Sequence, residues 1–317
     1  AVGLAIFSIG LVKKALFADS LSGIAAGGFA HPGQLGFFAA WQAALAYSLQ
    51  LYFDFSGYSD MAIGIARLFN VRFPANFNSP YKAQSVIEYW QRWHMTLTRY
   101  LTLYLYNPIS LRIARRRMAS GLPMGRKIGA GGFAATVLFP TSVTMTLAGV
   151  WHGSGLTFLV FGLLHALYLC VNHAWRVFRP TRWKPAPGRL AAGQRVLLTY
   201  LCVLVGAVVF RSPSLAASGA MLADMAGQHG FALGGPTPER ALSMGRDWAM
   251  IVLLAAVAFG APNTQQIMRE YAPVLERVGG AGRTWRPSLG WAISLGCVSA
   301  LGLLAIGGSG EFLYFQF

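Results

Sequence analysis

Apolar runs constrain this chain more than any other feature. Residues 35–53, 133–151, 156–175, 196–210 and 289–307 are nearly uninterrupted apolar stretches, and 248–262 adds a shorter one almost free of charge. Crossing about 30 Å of hydrocarbon takes roughly 17–25 apolar residues as a helix. A helix also satisfies its own backbone N–H and C=O groups where no water can. The runs therefore predict an all-α, polytopic membrane protein, a single membrane-embedded domain over 1–317. Two further segments are apolar but interrupted: 1–17 carries Lys13 and Lys14, and 59–69 is too short to cross. Both are predicted to be interfacial or re-entrant.

Composition agrees with a membrane protein, since 55% of the 317 residues are hydrophobic and only 11% charged. The net charge of +16 invites a nucleic-acid reading. No basic stripe interleaved with aromatics lies on a polar domain that could carry it, so no nucleic-acid partner is expected. The charge serves topology instead. Segments 112–132, 176–195 and 263–288 hold 6, 6 and 4 Lys plus Arg, whereas 152–155, 212–247 and 308–317 hold 0, 2 and 0. The alternation places the basic loops in the cytoplasm and the turn at 152–155 on the other side. Cys170, Cys202 and Cys297 all sit in apolar runs without C-x-x-C spacing, which predicts neither a disulfide nor a metal site. The chain opens without Met and without a basic n-region, so no signal peptide is expected and the sequence reads as a fragment or a processed product.

Polar groups at depth are costly, and those present mark candidate sites. The stretch LAGVWHGSG, 147–155, sets His152 between a tryptophan and two glycines, Gly153 and Gly155, which leave room for close backbone approach. The stretch SVIEYWQRWHMTLTRYLTLYLY, 85–106, has helical length without Gly or Pro. It predicts a helix in which Glu88 and Arg92 pair at i,i+4 and His94 shares a stripe with Thr98. An amphipathic helix at the interface and a helix lining a polar cavity both remain open. In YFDFSGYSDMAIGIARLF, Asp54 and Asp60 bracket a Ser-Gly-Tyr turn predicted to end one span and start a short helix capped by Ser59 or Asp60. Those carboxylates are expected to satisfy backbone amides or pair with Arg67 or Arg72. His31, His173 and His229 read as solvated, and His165, mid-span in FLVFGLLHALYL, as an imidazole bonded to a neighbouring helix. No histidine belongs to a metal-ligand pattern.

YWQRWHMTLTRYL, then GVWHGSGLTFLVFGLLHALYL 58 residues on, with YFDFSGYSDMAIGIARLF before them and FLYFQF at the end, resembles the membrane-bound O-acyltransferase family. The likeness is nearest to its bacterial alginate O-acetyltransferase branch and extends to the D-alanylation acyltransferases. The resemblance implies a helical bundle around a transmembrane tunnel in a bacterial inner membrane, joining a cytoplasmic acyl thioester to an acceptor hydroxyl outside. It implies His152 as the catalytic histidine and His94 as the second histidine of the tunnel. Acetyl-CoA is the expected donor, consumed as a substrate with no cofactor bound. The expected acceptor is an exopolysaccharide such as alginate, cellulose or peptidoglycan, with a periplasmic acetyltransferase or esterase-like protein as partner. Two departures stand out: the Arg-Asp pair usual after the RWH segment is absent from TRYLTLYLYNPIS, and the family has further helices before the point where Ala1 begins.

An imidazole with a pKa near 6.5 is suited to take the proton of an acceptor hydroxyl, which contributes roughly 10²–10⁴ in rate. His94 is then placed to donate to the oxyanion. Tyr314 in the last ten residues has two readings: one ring of an interfacial aromatic belt, or a phenol that carries the acyl group briefly as an ester. A transporter or flippase of a lipid or polysaccharide precursor is the alternative function. Many transporters carry internal repeats; none is seen here. A purely structural membrane subunit is the third reading.

Overall fold

The computed structural model describes residues 1–123, 129–180, 183, 186–231, 238–280 and 282–307, apart from the side chains of Pro238 and Arg240. In chain order the helices are α1 (Val2–Val12), α2 (Asp19–Phe29), α3 (Phe37–Leu68), α4 (Val86–Trp90), α5 (Met95–Leu101), α6 (Asn107–Ala119), α7 (Gly129–Phe133), α8 (Phe139–Trp151), α9 (Leu156–Phe178), α10 (Arg189–Arg211), α11 (Leu215–Met225), α12 (Pro238–Gly260), α13 (Thr264–Ile267) and α14 (Leu289–Leu304). No strand occurs among the described residues. Wider π-helical turns at Lys13–Ala18, Thr102–Tyr106 and Ala134–Leu138 join α1 to α2, α5 to α6 and α7 to α8, so each pair is continuous.

The chain is an all-α polytopic membrane protein. Gly129–Trp151, Leu156–Phe178, Arg189–Arg211 and Ala241–Gly260 are long and apolar enough to cross a bilayer. The predicted spans 133–151, 156–175 and 196–210 lie within the first three. The predicted span 248–262 overlaps the fourth, and 35–53 falls in α3 from Phe37 onward. The run 289–307 folds as the 16-residue α14 and a 3₁₀ turn. At 1.5 Å per residue that helix is about 24 Å long, short of a full crossing.

Contacts group the chain into two units, one of residues 1–79 and 219–317, the other of residues 80–218. In the first, α1 and α2 lie along α3. Here two expectations fail: 59–69 is not a separate segment, and no turn forms at Ser56-Gly57-Tyr58, because α3 runs unbroken for 32 residues. Gly57 serves packing. A Cβ there would fall 2.7 Å from the Gly10 carbonyl oxygen, and one on Gly64 would fall 2.6 Å from the Phe7 nitrogen. Small residues at such contacts let two helices approach closely. The carboxylates of α3 are thereby brought to the lysines of the N-terminal rod rather than to Arg67 or Arg72. Lys13 Nζ lies 2.8 Å from Asp60, and Lys14 Nζ 2.7 Å from Asp54 and 2.8 Å from Asp19. Asp60 also accepts from Thr264 Oγ1 at 2.6 Å and Gln265 Nε2 at 2.7 Å. Both aspartates that bracket the expected turn are compensated, and the helix continues through them. Segment 1–17 is likewise no isolated interfacial piece but one wall of this unit.

In the second unit, α8 and α9 form a helical hairpin around Gly149 and Gly162. A Cβ on Gly149 would meet the Phe158 carbonyl oxygen at 2.4 Å, and one on Gly162 the Met145 carbonyl oxygen at 2.5 Å. Helix α10 packs beside α9, and the short α4 rests against both.

Candidate active site in the second unit

The stretch 85–106 is not one helix. Ser85 caps α4 by accepting from Glu88 N at 3.2 Å. Glu88 in turn accepts from Gln84 N at 2.8 Å and from Arg92 Nη2 at 2.6 Å, so the predicted i,i+4 pair is present. The helix then stops, because Arg92 N and Trp93 N both turn back to the Tyr89 carbonyl. His94 follows with φ +43° and ψ +52°, the left-handed region, and α5 begins after it. That conformation costs an L-residue roughly 1–2 kcal/mol, and backbone strain of this kind gathers at functional sites. The surroundings that hold it are aromatic: Trp93 stacks on Tyr89 at 5.7 Å and 16°, and on Tyr81 at 6.4 Å and 17°.

His152 enters from the other direction. It ends α8, with its backbone N–H donating to the Gly149 carbonyl at 3.0 Å. Its ring stands edge-on to Phe210 of α10 at 5.1 Å and to Phe161 of α9 at 6.2 Å. The space left by Gly153 is filled by the Phe158 ring rather than held open, since a Cβ there would meet it at 2.5 Å. Both His94 and His152 are half-buried. Burial pushes each imidazole's pKa below 6.5, and the proximity of His152 lowers that of His94 further. The fold thus sets His152 near enough to His94, 58 residues earlier in the chain, for its charge to be felt there. Thr96 Oγ1 lies 3.4 Å from His94 Nδ1.

The remaining predicted residues fall elsewhere. His165 is wholly buried and takes a hydrogen bond from Trp90 Nε1 at 3.2 Å, the inter-helix bond expected of it. His173 is not freely solvated but lines a cavity of about 320 Å³ with Thr98, Thr102, Thr141 and Thr144. In that cavity's wall the buried Thr144 hydroxyl has no hydrogen-bond partner among the described residues. His229, in the first unit, is bound at 2.6 Å to Asp224, which is fully buried. His31 is exposed. Tyr314 lies outside the described residues, as does Arg182.

A second cavity, about 1000 Å³, opens at the far end of α9. Arg176, Arg179 and Arg195 line it, together with Trp175 and Trp183, whose rings are 5.6 Å apart. Sequence reasoning missed this pocket, the break at His94 and the aromatic wall of Phe161 and Phe210. The i,i+4 spacing of Phe161 and His165 was a usable signal for the wall; the left-handed turn at His94 left none.

Residues 1–122 match the family model described as MBOAT, membrane-bound O-acyltransferase family. The chain is 40% identical over 238 residues to a peptidoglycan O-acetyltransferase of Helicobacter pylori, covering 74% of this chain and 40% of that protein. It is 38% identical over 215 residues to a probable alginate O-acetylase of Pseudomonas aeruginosa, covering 66% and 35%. It is 27% identical over 165 residues to a teichoic acid D-alanyltransferase of Bacillus subtilis, covering 52% and 39%. The chain thus spans about two fifths of the length of the curated relatives it matches.

Proposed function

The chain belongs to the membrane-bound O-acyltransferase family, and on that premise we propose that its second unit transfers an acyl group from a cytoplasmic thioester to a hydroxyl on the far side of a bacterial inner membrane. The observation that carries this reading is that His152, its ring set against Phe161 and Phe210, lies near enough to His94 to disfavour the charged form of that imidazole. An unprotonated nitrogen of His152 takes the acceptor hydroxyl's proton as the oxygen attacks the thioester carbonyl. The resulting oxyanion accepts an N–H bond from His94. The tautomer such a donor needs has its proton on Nε2, which leaves Nδ1, 3.4 Å from Thr96 Oγ1, to accept from that hydroxyl. Collapse of the tetrahedral intermediate breaks the C–S bond, and the leaving thiolate takes the proton back from His152. General-base help supplies roughly 10²–10⁴, and an oxyanion donor about 10²–10³.

Acetyl is the proposed acyl group and acetyl-CoA the proposed donor. The guanidinium groups and paired indoles of the 1000 Å³ cavity support a donor with phosphates and an aromatic base. The acceptor is proposed to be a polysaccharide, in keeping with the names of the peptidoglycan and alginate enzymes among the relatives. A periplasmic acetyltransferase-like partner that completes the transfer is part of the same proposal. Tyr314 stays a sequence-based proposal for a transient acyl carrier.

The test is acetylation of extracytoplasmic polysaccharide in cells without another such enzyme. His152→Ala should abolish transfer, and His94→Gln should reduce it at least tenfold, both at normal protein level in the membrane. Tyr314→Phe run alongside should abolish transfer if the phenol is a carrier. Near-normal acetylation by His152→Ala would overturn the assignment of the base.

A further inference from the structure

His165 is wholly buried in α9, and the transfer steps above make no use of it. A polar ring at this depth is retained at a cost unless its nitrogens are satisfied. One of them is: Nδ1 accepts the indole N–H of Trp90 at 3.2 Å. An indole N–H is a donor only, so Nδ1 is unprotonated and the neutral ring carries its proton on Nε2. The Nε2 edge faces α10 at Gly206, where any Cβ would come within 2.5 Å of that nitrogen. The site is shaped around an imidazole.

The neighbours of this ring lead to both histidines of the candidate site. Trp90 is the last residue of α4, four residues before the left-handed turn at His94. On the other side, Phe161 packs against the His165 ring at 4.6 Å and stands 6.2 Å from His152. Phe210, one turn beyond Gly206, closes the triangle at 5.0 Å from Phe161 and 5.1 Å from His152. An apolar residue at 165 would leave the Trp90 N–H, and with it the end of α4, unanchored.

We propose that His165 is a positioning residue for acyl transfer: through the bond from Trp90 and the contact with Phe161 it holds the turn bearing His94 in register with His152, without touching substrate. The proposal rests on the reading of His94 and His152 given above.

Two variants remove the bond from opposite ends while keeping an aromatic ring in place, His165→Phe and Trp90→Phe. A third, His165→Asn, keeps an acceptor near the position of Nδ1. Initial rates of acetyl transfer in membranes, normalised to the protein that elutes as a monodisperse peak in detergent, give kcat and the KM for acetyl donor. Misplacement of reacting groups by about 1 Å costs on the order of a hundredfold. Each Phe variant should therefore lower kcat ten- to a hundredfold with the donor KM within about twofold. The double variant should fall no further than the worse single one, since both remove the same interaction. His165→Asn should recover most of kcat. Trp90→Phe leaves the imidazole in place and so tests the bond even if His165→Phe fails to accumulate. Normal kcat in either Phe variant, or effects that multiply in the double variant, would overturn the positioning role. His152→Ala measured alongside separates the two failures. If it is inactive while His165→Phe is normal, only this proposal falls; if it is active, the reading of the site falls with it.

Discussion

At His94 and His152 the balance between burial and charge sets a pH dependence. Both imidazoles are neutral at pH 7 because burial disfavours the charged form, and two cations at this spacing would repel. A base must be unprotonated to act, so activity is retained as pH falls through the ordinary imidazole pKa and is lost only as pH passes through the lowered one. The acid limb of kcat against pH should accordingly have its midpoint below 6.5. A profile in membranes with a midpoint at or above 6.5 would show that the acting group is not a buried imidazole. The left-handed backbone of His94 belongs to the same scale: it turns the chain between α4 and α5 at a residue type that tolerates positive φ better than most.

Between elements, the decisive contacts are small residues and compensated charge. Helix α3 passes through Asp54, Gly57 and Asp60 only because the N-terminal rod brings two lysines against it. Removing one partner of a buried pair leaves an uncompensated charge and costs about 3–5 kcal/mol, whereas removing both is far milder. Lys13→Met should therefore lower the thermal midpoint of the detergent-purified protein, read as the loss of the monodisperse peak after heating. Lys13→Met with Asp60→Asn should recover much of it, because the amide oxygen still accepts from Gln265 and the amide N–H can donate to the Thr264 hydroxyl in place of the bond that hydroxyl gave. Equal midpoints for the single and double variants would mean that the pair is not what holds α3 together here.

On the scale of the whole molecule, helix α9 is a ruler. Its 23 residues span about 34 Å, so the turn at His152 and the arginines at its other end belong to opposite faces of a bilayer. The alternation of basic and neutral loops predicts the arginine end on the cytoplasmic side. In a background without the three native cysteines, Ser154→Cys should react with an impermeant thiol reagent in intact cells and Arg182→Cys only after the membrane is opened. Labelling of position 182 from outside would reverse the predicted orientation, and with it the proposed direction of acyl transfer.

Sequence by itself determined what depends on short windows. Run length and apolar content decide which segments enter lipid, because a helix satisfies its own backbone there. The Glu88–Arg92 pair was legible because its partners are one turn apart, and the two histidine segments were legible as motifs. Only the tertiary structure decided the rest. It carried α3 through a stretch that reads as a turn, because the lysines neutralising its aspartates lie some forty residues earlier in the chain. It broke 85–106 at a residue with no local signal for a break, because the aromatic stack of Tyr81, Tyr89 and Trp93 holds the chain there. It joined Trp90 to His165 across 75 residues and set His152 near enough to His94 for its charge to be felt there, since both arise from the packing of α4, α8, α9 and α10.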